Sequence, residues 1–562
     1  MISTKSTLVL KKNDRIVFLG DSITEQHLYT NYVESYLSAR YPELSLSFFN
    51  AGWGGDTAPG GVQRLQRDVL SLNPTVVTIC YGMNDGAYCP MNAGILHRYA
   101  AGMSELVRLL KKAKVRIILL TPGMVDHARN PELRAINYSG QNLRRLADFV
   151  LGLAKRENLP VGDVHQLMTE VDARAKQVDR EFTMIPDSVH PDPAGHLVMA
   201  YGLLQALKVP PLQESAEIDL SAGKAVCSKG LKITGIQPRQ WGYEFNLKLD
   251  CPPFFVEPAA RKILPFLPFQ ETYNNLSLSF RGGRAERYYF KSGAVRTECL
   301  SLKDLKIGIE LSSLWQTAPM VAQAQVHQFT GEKNQIYFRL WRLIALEGKS
   351  GPDYNKVVHQ TAQEAMPILE KARTALVKKA TEPFCFRMLA ADLPGEPLEN
   401  DDFISCWSFR GPFASTAKTE GRDFLGGEAK MTETPPVLSR EWTEGNLNIE
   451  NPNNALNAFF GQHDNCCAYL LTLIESPIHQ TAELRVGSDD GFATWFNGKC
   501  LANRIELRRG LAVDQDRLPV TLRKGTNVLM LKVSQGVAGW GVCTRFAGLS
   551  QPVLANRAKR KG

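Results

Sequence analysis

The first 210 residues alternate two kinds of hydrophobic pattern. Short, nearly continuous apolar runs occur at 15–19, 44–49, 75–81, 116–120 and 159–164. Between them the apolar positions recur at helical spacing, as at Val62, Leu65 and Val69, or at Leu143, Leu146, Val150 and Leu153. The runs predict strands, and the intervening spacing predicts helices that lie on them. A last helix is predicted over 193–207, with Pro193 in its first turn, where a missing N–H costs least. Strands separated by helices pair in parallel, because each crossover needs a helix to carry the chain back. The expected architecture is therefore α/β, with a five-stranded parallel sheet in a three-layer α/β/α sandwich. Its crevice should lie at the carboxyl ends of the strands.

The pattern changes after "VPPLQES" (209–215), which closes a first unit at 1–212. Residues 213–312 alternate as strands do, at 232–236, 243–249 and 276–280, and form a β-rich region. Residues 313–348 and 354–379 have amphipathic helical spacing, giving a helical region over 313–380. "TEPFCFRMLAADLPGEPLENDD" (381–402) is rich in proline and acid and reads as a linker. Over 403–550, short runs such as "CAYLLTLI", "TAELRVG", "FATWFNG" and "NVLMLKV" are separated by Asp, Asn and Gly turns and predict a β-sandwich. Residues 551–562 form a basic tail.

A chain of 562 residues is too long for one core. Its 44% hydrophobic and 22% charged content is that of an ordinary globular protein. The net charge of +9, from 66 basic and 57 acidic residues, is spread thinly and leaves no footprint for nucleic acid. "YFRLWRLIAL" (337–346) reads as an amphipathic helix whose arginine stems cover apolar surface. No run reaches the length of a membrane span, and the first fifteen residues lack the apolar stretch of a signal peptide. Eleven cysteines, odd in number and without a CxxC pair, read as reduced thiols. The expectation is a cytoplasmic protein.

The chemistry concentrates where strands end. "IVFLGDSITEQ" (16–26) breaks from an apolar run into Gly20, Asp21 and Ser22. A serine there is either the N-cap of a helix or a nucleophile. A nucleophile needs a base, a group to orient that base, and donors for an oxyanion. "IPDSVHPDPAGH" (185–196) offers Asp187 and His190 three residues apart, so one tight loop presents both on the same side. "YGMNDG" (81–86) brings the Asn84 amide to the end of the third strand, and "NAGWGGDT" (50–57) brings glycine N–H groups to the end of the second. Each also has a plain reading as a turn. His196, one turn into the last helix, reads as structural, and Asp21 and Asp85 as loop anchors. No histidine spacing suggests a metal, and no cofactor is expected.

These four motifs, in this order, resemble the SGNH or GDSL-type hydrolase family over about residues 12–208. The resemblance implies a flavodoxin-like fold and a serine esterase or acylhydrolase. It implies Ser22 as nucleophile, His190 as base, Asp187 as its orienter, and an oxyanion hole from Ser22, Gly55 and Asn84. Gly54 and Gly52 are the alternatives to Gly55. Farther on, "LRVGSDDGFATWFNGK" (484–499) and 522–541 resemble galactose-binding-like and PA14-like sandwiches. That resemblance makes Trp495 and Trp540 sugar-stacking candidates, with a buried core position as the competing reading. It also makes Asp489 and Asp490 a calcium candidate, with a plain turn as the competitor. The expected substrate is a small ester or an acetylated carbohydrate. The alternatives are a short-chain carboxylesterase or lysophospholipase, and a glycan-binding protein whose hydrolase domain has lost activity.

Overall fold

The computed structural model describes residues 9–239, 241–292, 297, 299–315, 317–341, 352–391, 395–416, 418–447 and 452–561. Five parallel strands open the fold: β1 (Arg15–Gly20), β2 (Ser47–Gly52), β3 (Val76–Cys80), β4 (Arg116–Leu120) and β5 (Val161–Gly162). They pair in the order β2-β1-β3-β4-β5. Each is apolar on both faces, as strands covered by helices on both sides must be. Ile16 and Phe18 of β1 point into one core; Val17 and Leu19 point into the other. Helices α2 (Leu28–Arg40), α7 (Val164–Val178) and α8 (Pro193–Ala206) cover the first face. Helices α3 (Ala58–Asp68), α4 (Ala93–Lys112) and α6 (Arg144–Glu157) cover the second. Two short helices, α1 (Ser22–Glu25) and α5 (Pro131–Ala135), sit in the connections.

The second strand begins later than the apolar run at 44–49 suggests, because Pro42–Leu44 closes a 3₁₀ turn and Ser45 turns left-handed at φ 49°. The register brings function close. Gly20 lies beside Gly52 on one side and Cys80 on the other, so β1, β2 and β3 end at one level. The segments that carry Ser22, Gly55 and Asn84 leave the sheet from those three ends.

Residues 213–391 contribute two more sheets. One runs Ile309–Glu310, Asn275–Arg281, Gln213–Asp219, Lys224–Cys227. The other runs Leu300–Ser301, Arg287–Lys291, Phe384–Ala390, Gly242–Leu249, Leu231–Arg239, and a core including Phe245, Phe280, Phe290 and Phe386 is shared between them. The linker expected at 381–402 is thus partly wrong, since Phe384–Ala390 is an interior strand with Phe386 and Met388 buried. Its period-two alternation was masked by the prolines and acids that follow.

Helices Ala318–Phe338 and Pro352–Ala380 pack on each other and on α2. Glu34 of α2, 1% exposed, receives the ammonium of Lys333 and the guanidinium of Arg373 in that contact. Tyr337 stacks on Trp341 with ring centres 6.2 Å apart, and both bury against the sheet domain. The 337–341 part of "YFRLWRLIAL" therefore ends in core, as expected of an amphipathic helix; 342–346 lies outside the described residues. Among the described residues a sandwich of one eight-stranded and one three-stranded sheet follows; Val553–Asn556 is a strand of the larger sheet, so the basic tail expected at 551–562 is in part sandwich. Among the described residues no helix is long and apolar enough to cross a membrane. Among the described residues no two cysteines form a disulfide.

Candidate active site

At the end of β1 the chain turns directly into α1. A Cβ on Gly20 would stand 2.2 Å from Thr24 Oγ1 and 2.7 Å from the Cys80 carbonyl, so only glycine fits. The N-cap is Asp21, whose Oδ1 accepts the Ile23 N–H at 3.0 Å. Ser22 is therefore not the cap. It is the first helical residue, half-buried, and its Oγ lies 2.9 Å from His190 Nε2. His190 Nδ1 lies 2.7 Å from Asp187 Oδ2. The other carboxylate oxygen accepts the N–H groups of Val189 at 2.9 Å and His190 at 2.7 Å, so Asp187 shapes the loop whose imidazole it orients. Partial burial raises the Asp187 carboxyl, but these two N–H groups and the imidazole outweigh it and hold the acid below its usual range. The relay Ser22–His190–Asp187 is continuous.

Gly55 sits in the exposed turn after β2 at φ +73°, and a Cβ there would touch nothing within 4 Å. Left-handed backbone, not crowding, is what calls for glycine. Asn84, half-buried, donates from Nδ2 to the Asp56 carbonyl at 2.9 Å and accepts at Oδ1 from the Tyr88 hydroxyl at 3.1 Å. Asp85 Oδ1 accepts the Ala58 N–H at 2.9 Å and so ties the end of β3 to the start of α3. Burial, reinforced by neighbouring carboxylates, pushes the acids of Asp21 and Asp85 up to about 7. Both are loop anchors, as their positions suggested.

Three residues near the site escaped sequence reasoning. Arg64, 7% exposed, donates to the Gly20 carbonyl at 3.0 Å, the Ala51 carbonyl at 2.8 Å, the Tyr81 hydroxyl at 2.7 Å and Asp56 Oδ2 at 2.7 Å. One guanidinium thus joins β1, β2, the chain just past β3 and the loop that carries Gly55 and Asp56. The only signal for it was the i, i+4 spacing of Arg64 and Asp68 on α3. Lys262 donates to the Thr183 carbonyl at 2.8 Å and to Asp192 Oδ2 at 2.5 Å, clamping both ends of the loop that holds Asp187 and His190. It belongs to a segment far along the chain, beyond any local pattern. The third is Tyr88.

The sandwich candidates need correction. Trp495 is 6% exposed on the outer face of the larger sheet, covered by Leu438 and Trp442. Trp540 is fully buried in the core between the sheets, with Phe460 stacked at 5.5 Å. Neither ring is presented to a ligand, because each fills a hydrophobic layer that would otherwise be void. Asp490 Oδ2 accepts the Gly536 N–H at 2.6 Å, as a turn anchor does. Among the described residues no group of three His, Cys, Asp or Glu side chains is placed to hold a metal ion.

His196 is buried, accepts the Tyr29 N–H at Nδ1 and pairs with Gln26 Oε1 through Nε2 at 2.8 Å. Burial, with the nearby His190, pushes its imidazole down to about 3. The unfolded chain protonates this ring near its ordinary value of 6.5. Below that pH the unfolded state binds the extra proton, so the contribution of His196 to stability is full above 6.5 and is lost on acidification toward 3. Asp21 and Asp85, raised, act in the opposite sense between 3.8 and about 7. A His196→Gln variant isolates the histidine. Its unfolding midpoint should fall less than that of the wild type between pH 7 and pH 4.5, by about 2–3 kcal/mol of stability. Parallel pH profiles would contradict a buried neutral ring.

Residues 18–198 match the family model described as the GDSL-like Lipase/Acylhydrolase family. These residues form a GDSL-like acylhydrolase domain. The chain is an ester hydrolase. An acetylxylan esterase of Geobacillus stearothermophilus is 26% identical over 221 residues, which cover 34% of this chain and 94% of that protein. A solved structure of a gut microbial diltiazem-metabolizing enzyme is 20% identical, with a TM-score of 0.57 over 68% of this chain and 100% of that one. It shares the fold, and the match extends well beyond the acylhydrolase domain. A crystal structure of an acetylxylan esterase from Geobacillus stearothermophilus is 26% identical, with a TM-score of 0.29 over 36% of this chain and 96% of that one.

Proposed function

We propose that the chain is a serine esterase that removes acetyl groups from a sugar or oligosaccharide, with Ser22 as nucleophile. The observation that carries the serine mechanism is the 2.9 Å and 2.7 Å relay from Ser22 through His190 to Asp187. His190 Nε2 takes the Ser22 proton as Oγ bonds to the ester carbonyl carbon. The carbonyl oxygen becomes an oxyanion, received by the N–H groups of Ser22 and Gly55 and the second N–H of the Asn84 amide. The tetrahedral adduct collapses, the C–O bond to the alcohol breaks, and His190 returns its proton to the departing oxygen. Water, deprotonated by His190, then attacks the acyl-enzyme and releases the acid, restoring Ser22. Asp187, held anionic, fixes the imidazole tautomer and supports its positive charge in both halves. No step draws on a metal or organic cofactor.

The sugar part of the reading rests on the acetylxylan esterase relative and, by texture, on the terminal sandwich. Cysteines that form no disulfide among the described residues suit a reducing compartment, where small imported oligosaccharides would be the substrate. The test has two arms. A fluorophosphonate probe should label the wild type and fail to label Ser22→Ala; an unlabelled, folded wild type would remove the serine mechanism. Acetylated xylo-oligosaccharides should be turned over in preference to aryl esters of longer acyl chains. Indifference to every acetylated sugar would replace the sugar reading with that of a short-chain carboxylesterase.

A further inference from the structure

We infer that Tyr88 is a positioning residue that locks the Asn84 amide in the orientation the oxyanion requires, an inference that rests on the role proposed for Asn84. An amide has a donor end and an acceptor end that differ little in shape, so its rotation is decided by its partners. Asn84 has one on each side. The Asp56 carbonyl can only accept, which makes the group facing it the nitrogen. The Tyr88 hydroxyl sits 3.1 Å from the other end and holds it as the oxygen. With both in place the second N–H of Nδ2 has one direction left. Burial, with Asp21 and Asp187 nearby, pushes the Tyr88 phenol up to about 12, so the hydroxyl keeps its proton and donates.

The fold goes to some length to put that hydroxyl there. Ala87 and Tyr88 are both left-handed, at φ 60° and 50°, although neither is glycine. Side chains hold such backbone only where the surroundings impose it, and such sites cluster where function needs a fixed geometry. Asn142 Nδ2 pins the turn by donating to the carbonyls of Gly86 at 3.1 Å and Cys89 at 3.0 Å. Tyr138 donates to the Met83 carbonyl at 2.6 Å, and the Tyr88 ring stacks on it at 5.2 Å and 14°. Tyr88 is nevertheless 40% exposed, so the anchoring serves the direction of its hydroxyl more than burial of its ring.

The experiment is a double-mutant cycle of Tyr88→Phe and Asn84→Ala, read as kcat and KM on p-nitrophenyl acetate, with Ser22→Ala alongside. Tyr88→Phe keeps the ring on Tyr138 and removes only the hydroxyl, so its unfolding midpoint should match the wild type. Its kcat should fall about five- to tenfold with KM unchanged, the scale of one hydrogen bond that tightens a transition-state donor. In the Asn84→Ala background the same change should do nothing. A wild-type kcat in Tyr88→Phe, or an equal loss in both backgrounds, overturns the inference while leaving Ser22 and Asn84 in their roles. Full turnover in Asn84→Ala overturns the oxyanion role itself, and the inference with it.

Discussion

Ser22→Ala should lower kcat/KM on an aryl acetate by about ten-thousand-fold or more, with the folded state unchanged. The hydroxyl makes a hydrogen bond to His190, and Ser22 is half-buried, so alanine leaves no sizeable cavity and strands no buried group. The N-cap of α1 is supplied by Asp21 and survives. His190→Ala should cost nearly as much, because without the imidazole nothing takes the proton. The two changes together should cost little more than either alone, since the residues act as one unit. Steady-state kinetics of the two single variants and the double variant, with circular dichroism and unfolding curves as controls, decide the matter. Additive losses, or a Ser22→Ala enzyme within tenfold of the wild type, would mean that the ester is cleaved by other groups.

Arg64→Met should be the most damaging change outside the relay. The arginine is buried beside Asp56 and beside Asp68, whose side chain is fully buried. Methionine fills similar space but leaves Asp56 without its cation, and two strand-end carbonyls and a tyrosine hydroxyl lose a donor. Removing one member of such a buried pair costs about 3–5 kcal/mol. The loss should appear as a lower midpoint in urea. It should also appear as a lower kcat in the protein that remains folded, because Gly20 and Asp56 fix the positions of Ser22 and Asn84, and small displacements of reacting groups are expensive. Arg64→Lys should recover only part of both, since an ammonium cannot reach four acceptors in a plane. An unchanged midpoint in Arg64→Met would show that the cluster is solvated and not structural.

The parallel sheet and the relay were legible because their signals are local. A buried strand is an unbroken apolar run, and Ser22, Asn84, Asp187 and His190 each stand in a short motif at the end of an element. Residues that act across the fold were not legible. Lys262 reaches the loop before α8 from a segment 70 residues beyond Asp192, and nothing around it in the sequence marks a partner. Arg64 carries no sequence signal for burial, and the strand-end carbonyls and carboxylates that converge on it are what make burial tolerable. The strand Phe384–Ala390 was lost among prolines and acids, because composition over a long window outweighed a short alternation inside it. Trp495 and Trp540 show the reverse error, in which a resemblance offered a ligand role to rings that the sandwich needs as filling.

The contact of Glu34 with Lys333 and Arg373 bears on what counts as the enzyme. The motifs of hydrolysis all lie before residue 200, yet the back of α2 is finished by helices more than a hundred residues later, around a carboxylate shut away from water. Trimmed at residue 212, the chain would present a bare apolar wall and an orphaned set of charges where it now has an interior. In this chain the smallest piece able to stand alone is therefore drawn by packing in three dimensions and not by the span of the motifs.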